Sequence, residues 1–468
     1  MNFLTNKGIS GSFLFILATL VALFRDVYFV NEFFNKNTFS MDAYFTSMML
    51  LALIINFIFA PFQEYFNYNK KILKNINIKL LANLYSIGFT IFLMMGLYLF
   101  INDVSDDYIY IKLANLFMLT INFPLVYLHS LLFESKRMHL ISGSNLFFST
   151  SLLMIIFILS TSMNINHPIL TISISNLIIQ FSIFLFFVRT LSKSGYKIVN
   201  QPNDFSLLSF FSKKIFLLVS FNALIFCPFY IFSFLNFFTN EGNITAFSLA
   251  IKPFLIFQVF ITFVINGIFF NNLFNKEIED YTKIFNINFN KIFNGVIVLT
   301  LIILGLSYLF IPTILEFITV PKVLKLLIIE VYFLSIILLP IIFMNVLFLK
   351  LLTLNFFGKY LYYFLYFLII LFITLFLGLI EINSASDYLS FIFVMNLALL
   401  FLLLLTAFFH KIFSLYSFII IIICIFLFLS SILTYLYELY FGTFLFFFLY
   451  LSLLITTNYL NGEFKLNT

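Results

Sequence analysis

The chain has 468 residues, of which 63% are hydrophobic and 9% charged. A soluble protein carries roughly 25% charged residues, so this chain cannot cover a water-facing surface, and soluble enzymes and nucleic-acid-binding modules are excluded. The formal charge of +6 is read instead as membrane topology, because cationic residues collect on the cytoplasmic side of a bilayer.

A transmembrane helix needs about 20 apolar residues. Windows of that length recur at 9–30, 41–66, 78–101, 109–133, 140–162 and 168–190. They resume at 215–239, 244–274, 292–315, 323–350, 360–382, 387–409, 413–436 and 440–460. Long unbroken apolar runs are the signature of helices rather than barrel strands. The first window ends in Phe24-Arg25-Asp26 without a small-residue cleavage pattern, so it reads as a span and not a removable leader. With a cytoplasmic N-terminus, nineteen of the twenty-five Lys and Arg residues fall inside and four outside. That alternation supports both the count and the orientation, with both termini cytoplasmic.

The expected architecture is therefore an all-α polytopic membrane protein of about fourteen transmembrane helices. A polar stretch at about 192–214, with Gly195 and Pro202, divides the spans into six, six and a final pair. Two six-helix lobes, 1–200 and 201–411, would flank a central cavity, with a C-terminal helix pair in 412–468. Substrate sites in such transporters lie between the repeats.

Ionisable residues inside spans cost roughly 2.5–3.5 kcal/mol on insertion scales and mark function by default. Arg25 and Asp26 lie in the first span, Asp42 in the second and Lys252 in the eighth. All fall in the outer half: Arg25 about 8 Å and Lys252 about 12 Å below the outer face, at 1.5 Å per residue. At 100° per residue, Arg25 shares a face with Gly11, Ala18 and Ala22. Asp42 shares one with Thr46, Asn56 and Gln63, and Lys252 one with Thr245, Ser248 and Asn266. Three such stripes predict a shared hydrated cavity. Neighbouring residues on a helix do not face each other, so Arg25 is expected to pair with Asp42 rather than Asp26. His129 and His139 are expected at the solvated inner end of the fourth span, and Glu330 at an interface. Pro61, Pro228, Pro253 and Pro340 read as kinks.

Two intramembrane cations suit an anionic substrate. Arg offers a bidentate fork for phosphate and Lys a point charge. The nearby carboxylates would hold these cations in the empty site or titrate during transport. The sequence has no phosphate-cradling loop for ATP hydrolysis, no nucleophile–base constellation and no metal-ligand spacing. Cys227 and Cys424 lie in apolar runs and imply no disulfide framework. The expectation is a protein that is not an enzyme, with no cofactor and no metal.

Three short motifs carry a resemblance. Ala22-Leu23-Phe24-Arg25-Asp26-Val27, Met41-Asp42-Ala43-Tyr44-Phe45 and Phe59-Ala60-Pro61-Phe62-Gln63-Glu64-Tyr65 resemble the lipid II flippase family MurJ (MviN). Its patterns are close to G-F-x-R-D, T-D-A-F-F and F-x-P-x-x-x-E-Y at matching spacing. The segment Ala246–Pro253 is loosely similar to the family's eighth span, with a cation before a proline. Beyond residue 70 the match is mainly one of span plan.

The resemblance implies a bacterial inner-membrane flippase of the superfamily that also holds O-antigen flippases and multidrug exporters. It would move a polyprenyl-diphosphate-linked glycan outward by alternating access, with H+ or Na+ as candidate coupling ions. Arg25 would contact the diphosphate, and Lys252 would stand for a cavity arginine. By the same resemblance Asp26 and Asp42 would act in the outer gate or in coupling, while the polar faces themselves, not the resemblance, make Asn56 and Ser248 candidates for further substrate contacts. Two departures matter: the family arginine six residues before Arg25 falls on Thr19, and the arginine pair of the second span falls in Leu51–Ile55. The cavity is thus less cationic than the family norm, which leaves lipid II, O-antigen and capsule precursors open as substrates. The rival reading is a cation-coupled multidrug or small-metabolite antiporter of the same superfamily, with Asp26 or Asp42 as its cation site.

Overall fold

The computed structural model describes residues 6–55, 72–102, 108–135, 137–161, 167–200, 242–252 and 320–332. It adds isolated helical positions, among them Phe62, Phe66, Asn345 and Asn396. The expected spans at 215–239, 292–315, 360–382, 413–436 and 440–460 lie outside the described residues, as do Asn56, Gln63, Asn266 and the four expected kink prolines. The chain divides into two compact units. One holds residues 1–253, 313–331 and 382–388, and the other 254–312, 332–381 and 389–468.

In the first unit the apolar windows are helices, because within lipid only internal hydrogen bonding satisfies the backbone. They are α1 (Asn6–Phe33), α2 (Thr38–Ile54), α3 (Ile78–Asn102), α4 (Ile109–Leu116), α5 (Leu119–Glu134), α6 (Met138–Thr161) and α7 (Pro168–Lys193). Helix α8 spans 243–252 and α9 spans 322–332. Four of the stretches are long and apolar enough to cross a membrane: Ile78–Phe100, Ile109–Glu134, His139–Thr161 and Pro168–Lys193. They coincide with the third to sixth expected spans.

The fourth span differs from expectation in one respect. It is two helices, α4 and α5, joined at Phe117–Met118. There the N–H groups of Thr120 and Ile121 reach back three residues, to Phe117 and Met118. The Thr120 hydroxyl donates to the Phe117 carbonyl at 2.8 Å. Side-chain bonds of this kind compete with the helical ladder. Polar side chains of this broken span also reach across to neighbours. Asn115 Nδ2 donates to Ser47 Oγ at 2.8 Å, and Asn122 Oδ1 accepts from Gln180 Nε2 at 2.6 Å.

The layering follows from burial. Ile109–Glu134 has 83% of its apolar window buried, so it runs through the middle of the unit, whereas Ile78–Phe100 has 17% and lies at the periphery. Phe89, Leu93, Met94 and Leu97 on α3 are exposed, which is the pattern of a lipid-facing helix. Helix α3 still meets α5 closely at Gly88, where a Cβ would fall 2.6 Å from the Leu119 carbonyl oxygen. At the end where α3 begins, a two-stranded parallel sheet pairs β1 (Ile76–Asn77) with β2 (Ile198–Val199), Ile76 opposite Ile198. Buried Tyr127 fastens it, donating to the Asn75 carbonyl and accepting the Asn77 N–H at 3.3 Å.

In the second unit, Asn345 and Asn396 are fully buried. Asn345 Nδ2 donates to the Asn396 backbone carbonyl at 2.9 Å and to its side-chain oxygen at 3.1 Å. Buried amides at spanning depth need such partners.

Candidate functional site: a buried charge cluster and a capped helix

One end of the first unit brings α1, α2 and α8 together. A tight turn reverses α1 into α2, with the Asn37 N–H on the Phe33 carbonyl at 2.9 Å and the Thr38 hydroxyl on the Phe34 carbonyl at 2.9 Å. Phe29 packs edge-on against Tyr44 at 5.1 Å and lies 6.1 Å from Phe45. This aromatic core fixes where α1 presents its two charges.

Those charges do not pair as expected. Arg25 bonds its own neighbour: Nε and Nη2 reach Asp26 Oδ1 at 2.9 and 2.8 Å. The other carboxylate oxygen, Asp26 Oδ2, accepts from Lys252 Nζ, 226 positions away in sequence. The expectation failed because it treated side chains as rays from the helix axis. An Arg stem is long enough to curl back to the next residue, and a carboxylate has two oxygens to share. The cluster is withdrawn from solvent, with side-chain exposures of 11% for Arg25, 6% for Asp26 and 20% for Lys252. Lys252 Nζ also lies 5.0 Å from the Phe45 ring centroid, and the Arg25 guanidinium 6.0 Å from that of Phe148. Aromatic faces attract cations at such distances. One carboxylate serves two cations, so the cluster keeps net positive charge. A guanidinium carries five N–H donors and an ammonium three, more than one carboxylate can accept.

Asp42 plays a different part. Its Oδ2 accepts the Gly242 N–H at 2.6 Å. Its Oδ1 accepts the Thr245 N–H at 3.1 Å and the Thr245 hydroxyl at 2.6 Å. The first N–H groups of a helix have no partner within it. An N-cap side chain normally takes one of them, but Gly242, at the cap of α8, has none. A carboxylate from another helix supplies the cap instead, at the end where the helix dipole favours negative charge. Gly242 is required twice over. Its φ is +81°, and a Cβ there would lie 2.6 Å from Phe34 Cζ and 2.8 Å from Leu324 Cδ1. Asp42 therefore joins the ends of α2 and α8, and its expected pairing with Arg25 is corrected. A backbone donor set outcompetes the cation across the interface.

Ser248 is fully buried on α8, one turn from Lys252, and its hydroxyl has no hydrogen-bond partner among the described residues. Sequence reasoning missed a set of buried neutral polar groups in the same unit. Asn176 Nδ2 donates to Tyr44 OH at 3.1 Å. Asn115, Asn176 and Ser173 are fully buried. They were overlooked because the search was for ionisable side chains, and an isolated Asn in an apolar run was the available signal. His129 is half-buried with its ring 5.4 Å from Phe187, edge to face, rather than solvated. Glu330 is exposed on α9. Among the described residues no group of His, Cys, Asp or Glu could hold a metal ion.

The described helices thus hold a positively charged cluster buried among them. The fold is similar to that of the lipid II flippase MurJ in its inward closed conformation, with a TM-score of 0.59. The two share 15% identity, over 95% of this chain and 98% of that one. An outward-facing multidrug resistance MATE family transporter of the MOP superfamily aligns at 15% identity over 86% of this chain and 92% of that chain, with a TM-score of 0.47. No family model and no curated protein matches the sequence. The likeness gives the chain the fold of MurJ, in agreement with the resemblance read from its first seventy residues.

Proposed function

We propose that this protein is an alternating-access flippase that carries a polyprenyl-diphosphate-linked glycan, of lipid II, O-antigen or capsule type, from the inner to the outer leaflet of the bacterial cytoplasmic membrane. One observation carries the reading. Two cations from distant parts of the chain converge on a single buried carboxylate, which leaves positive charge in excess at spanning depth. A diphosphate is the matching anion: Arg25 would take one phosphate in a bidentate fork and Lys252 the other as a point charge. Asp26 acts as the resident counter-anion, holding both cations while the site is empty. Ser248 and Asn56 are proposed as further polar contacts. Asp42 contributes through the cap of α8 at the outer gate. The lobes are proposed as 1–200 and 201–411, with the helix pair of 412–468 beside them and both termini cytoplasmic.

The antiporter reading is disfavoured by the same geometry. It needs a carboxylate available to a coupling cation. Both Asp26 oxygens meet the chain's own cations, and both Asp42 oxygens meet N–H or O–H donors. Coupling to H+ or Na+ elsewhere in the chain is compatible with the proposal.

The test is flipping of a fluorescent polyprenyl-diphosphate sugar in proteoliposomes, read as loss of protection from a membrane-impermeant quencher. The intact chain is expected to flip it. Arg25→Ala and Lys252→Gln are expected to slow it at least tenfold at equal reconstitution, as about 1.4 kcal/mol of lost binding would. Rates equal to the parent in both variants would remove the diphosphate role.

A further inference from the structure

We infer that the end of the first unit where α3 begins and α7 finishes is a binding surface for an anionic phospholipid of the cytoplasmic leaflet. The headgroup would lie on Lys74, Lys79 and Lys197, and an acyl chain along α3. The juxtaposition is made by the small parallel sheet. The Ile76 N–H donates to the Lys197 carbonyl at 3.0 Å. Lys74 lies two residues before that bond and Lys79 three after it. Three lysines from segments 118 to 123 positions apart in sequence are thereby drawn to one spot, and all three are exposed. Arg189 and Lys193, exposed near the end of α7, add to the same field. Glu134 is the one acidic residue at this end among the described residues.

The hydrocarbon side is equally specific. Tyr85, Phe89, Leu93 and Leu97 recur every four residues along α3, and all are exposed. Tyr85 and Phe89 stack at 6.3 Å. An i, i+4 ridge advances about 40° per step, so this one starts at Tyr85 about 120° round the helix from Lys79 and reaches the Lys79 meridian at Leu97, about 27 Å along the axis. From Tyr85 to Leu97 it rises about 18 Å, close to the ~15 Å hydrocarbon depth of one leaflet. Charge complementarity, with an exposed apolar ridge on the same helix, selects a lipid rather than an acidic protein. The positive-inside bias places the lysines at the cytoplasmic leaflet. The site is separate from the Arg25 cluster and independent of what is translocated.

The test is native mass spectrometry of the full chain in detergent, titrated with dioleoylphosphatidylglycerol or dioleoylphosphatidylcholine. The parent is expected to retain the anionic lipid at least tenfold better. Each lysine is expected to contribute about fivefold, since a cation at a membrane surface is worth about 1 kcal/mol. The Lys74→Gln, Lys79→Gln, Lys197→Gln triple variant should therefore lose most of the preference, and Lys197→Gln alone about fivefold. The preference should fall with added salt. A Lys36→Gln, Lys322→Gln variant, altered elsewhere on the surface, should keep it. Equal retention of the two lipids by the parent would overturn the inference. So would a preference that survives the triple substitution, or one lost as fully in the Lys36 and Lys322 variant.

Discussion

Asp26 and Asp42 are the same residue type on adjacent helices, yet they are neutralised by different means. Asp26 lies between a guanidinium and an ammonium. Asp42 is held by two backbone N–H groups and a hydroxyl at the start of a helix. The first arrangement depends on two mobile side chains that another anion could claim. The second depends on backbone that is fixed once α8 forms. The lesson is that the role of a carboxylate among these helices follows from its donors: side-chain cations make it exchangeable, and helix amides make it architectural.

Substitutions test this division. The largest effect is expected from Asp26→Asn, which leaves Arg25 and Lys252 buried without their shared anion. Breaking such a cluster by removing one partner costs about 3–5 kcal/mol. The variant should unfold at markedly lower denaturant in detergent, and parental stability would show that the cations are already solvated. Gly242→Ala comes next. The positive φ costs about 1–3 kcal/mol, and the methyl group would press on Phe34 and Leu324. A lowered melting temperature is expected, and an unchanged one would show that the α8 cap is not rigid. The smallest effect is expected from Asp42→Asn, which keeps one acceptor oxygen at the cap but loses the charge and turns an NH2 toward a donor, at about 0.5–2 kcal/mol. A loss as large as that of Asp26→Asn would erase the distinction between the two carboxylates.

Much of the first unit was legible in the sequence. The apolar windows at 78–101, 140–162 and 168–190 end within a few residues of α3, α6 and α7. Lipid forces that correspondence, since a run of apolar residues has no other way to satisfy its backbone. The break at Phe117–Met118 was not legible, because hydropathy averaged over a window is blind to whether an N–H reaches back three residues or four. For the site, the residues were found but one pairing was wrong. Arg25, Asp26 and Lys252 do converge. Asp42 was given a cation because charge was sought as the partner of charge. Its true partners are backbone amides, which every residue but proline carries. Glu241-Gly242-Asn243 with Thr245 was readable as a helix start with a vacant cap. The sequence did not reveal that the missing acceptor would come from a residue 200 positions earlier.

The contact at Gly88 has a mechanical consequence. The least buried of the four membrane-length helices among the described residues touches the broken span backbone to backbone, with no side chain between Gly88 and the Leu119 carbonyl. Such a contact works like a peg in a notch, and sliding α3 lengthwise by a single residue would drive a methyl or larger group into that oxygen. The wall that this unit turns toward the bilayer is thus indexed at one spot, immediately beyond the place where the inner span changes its winding.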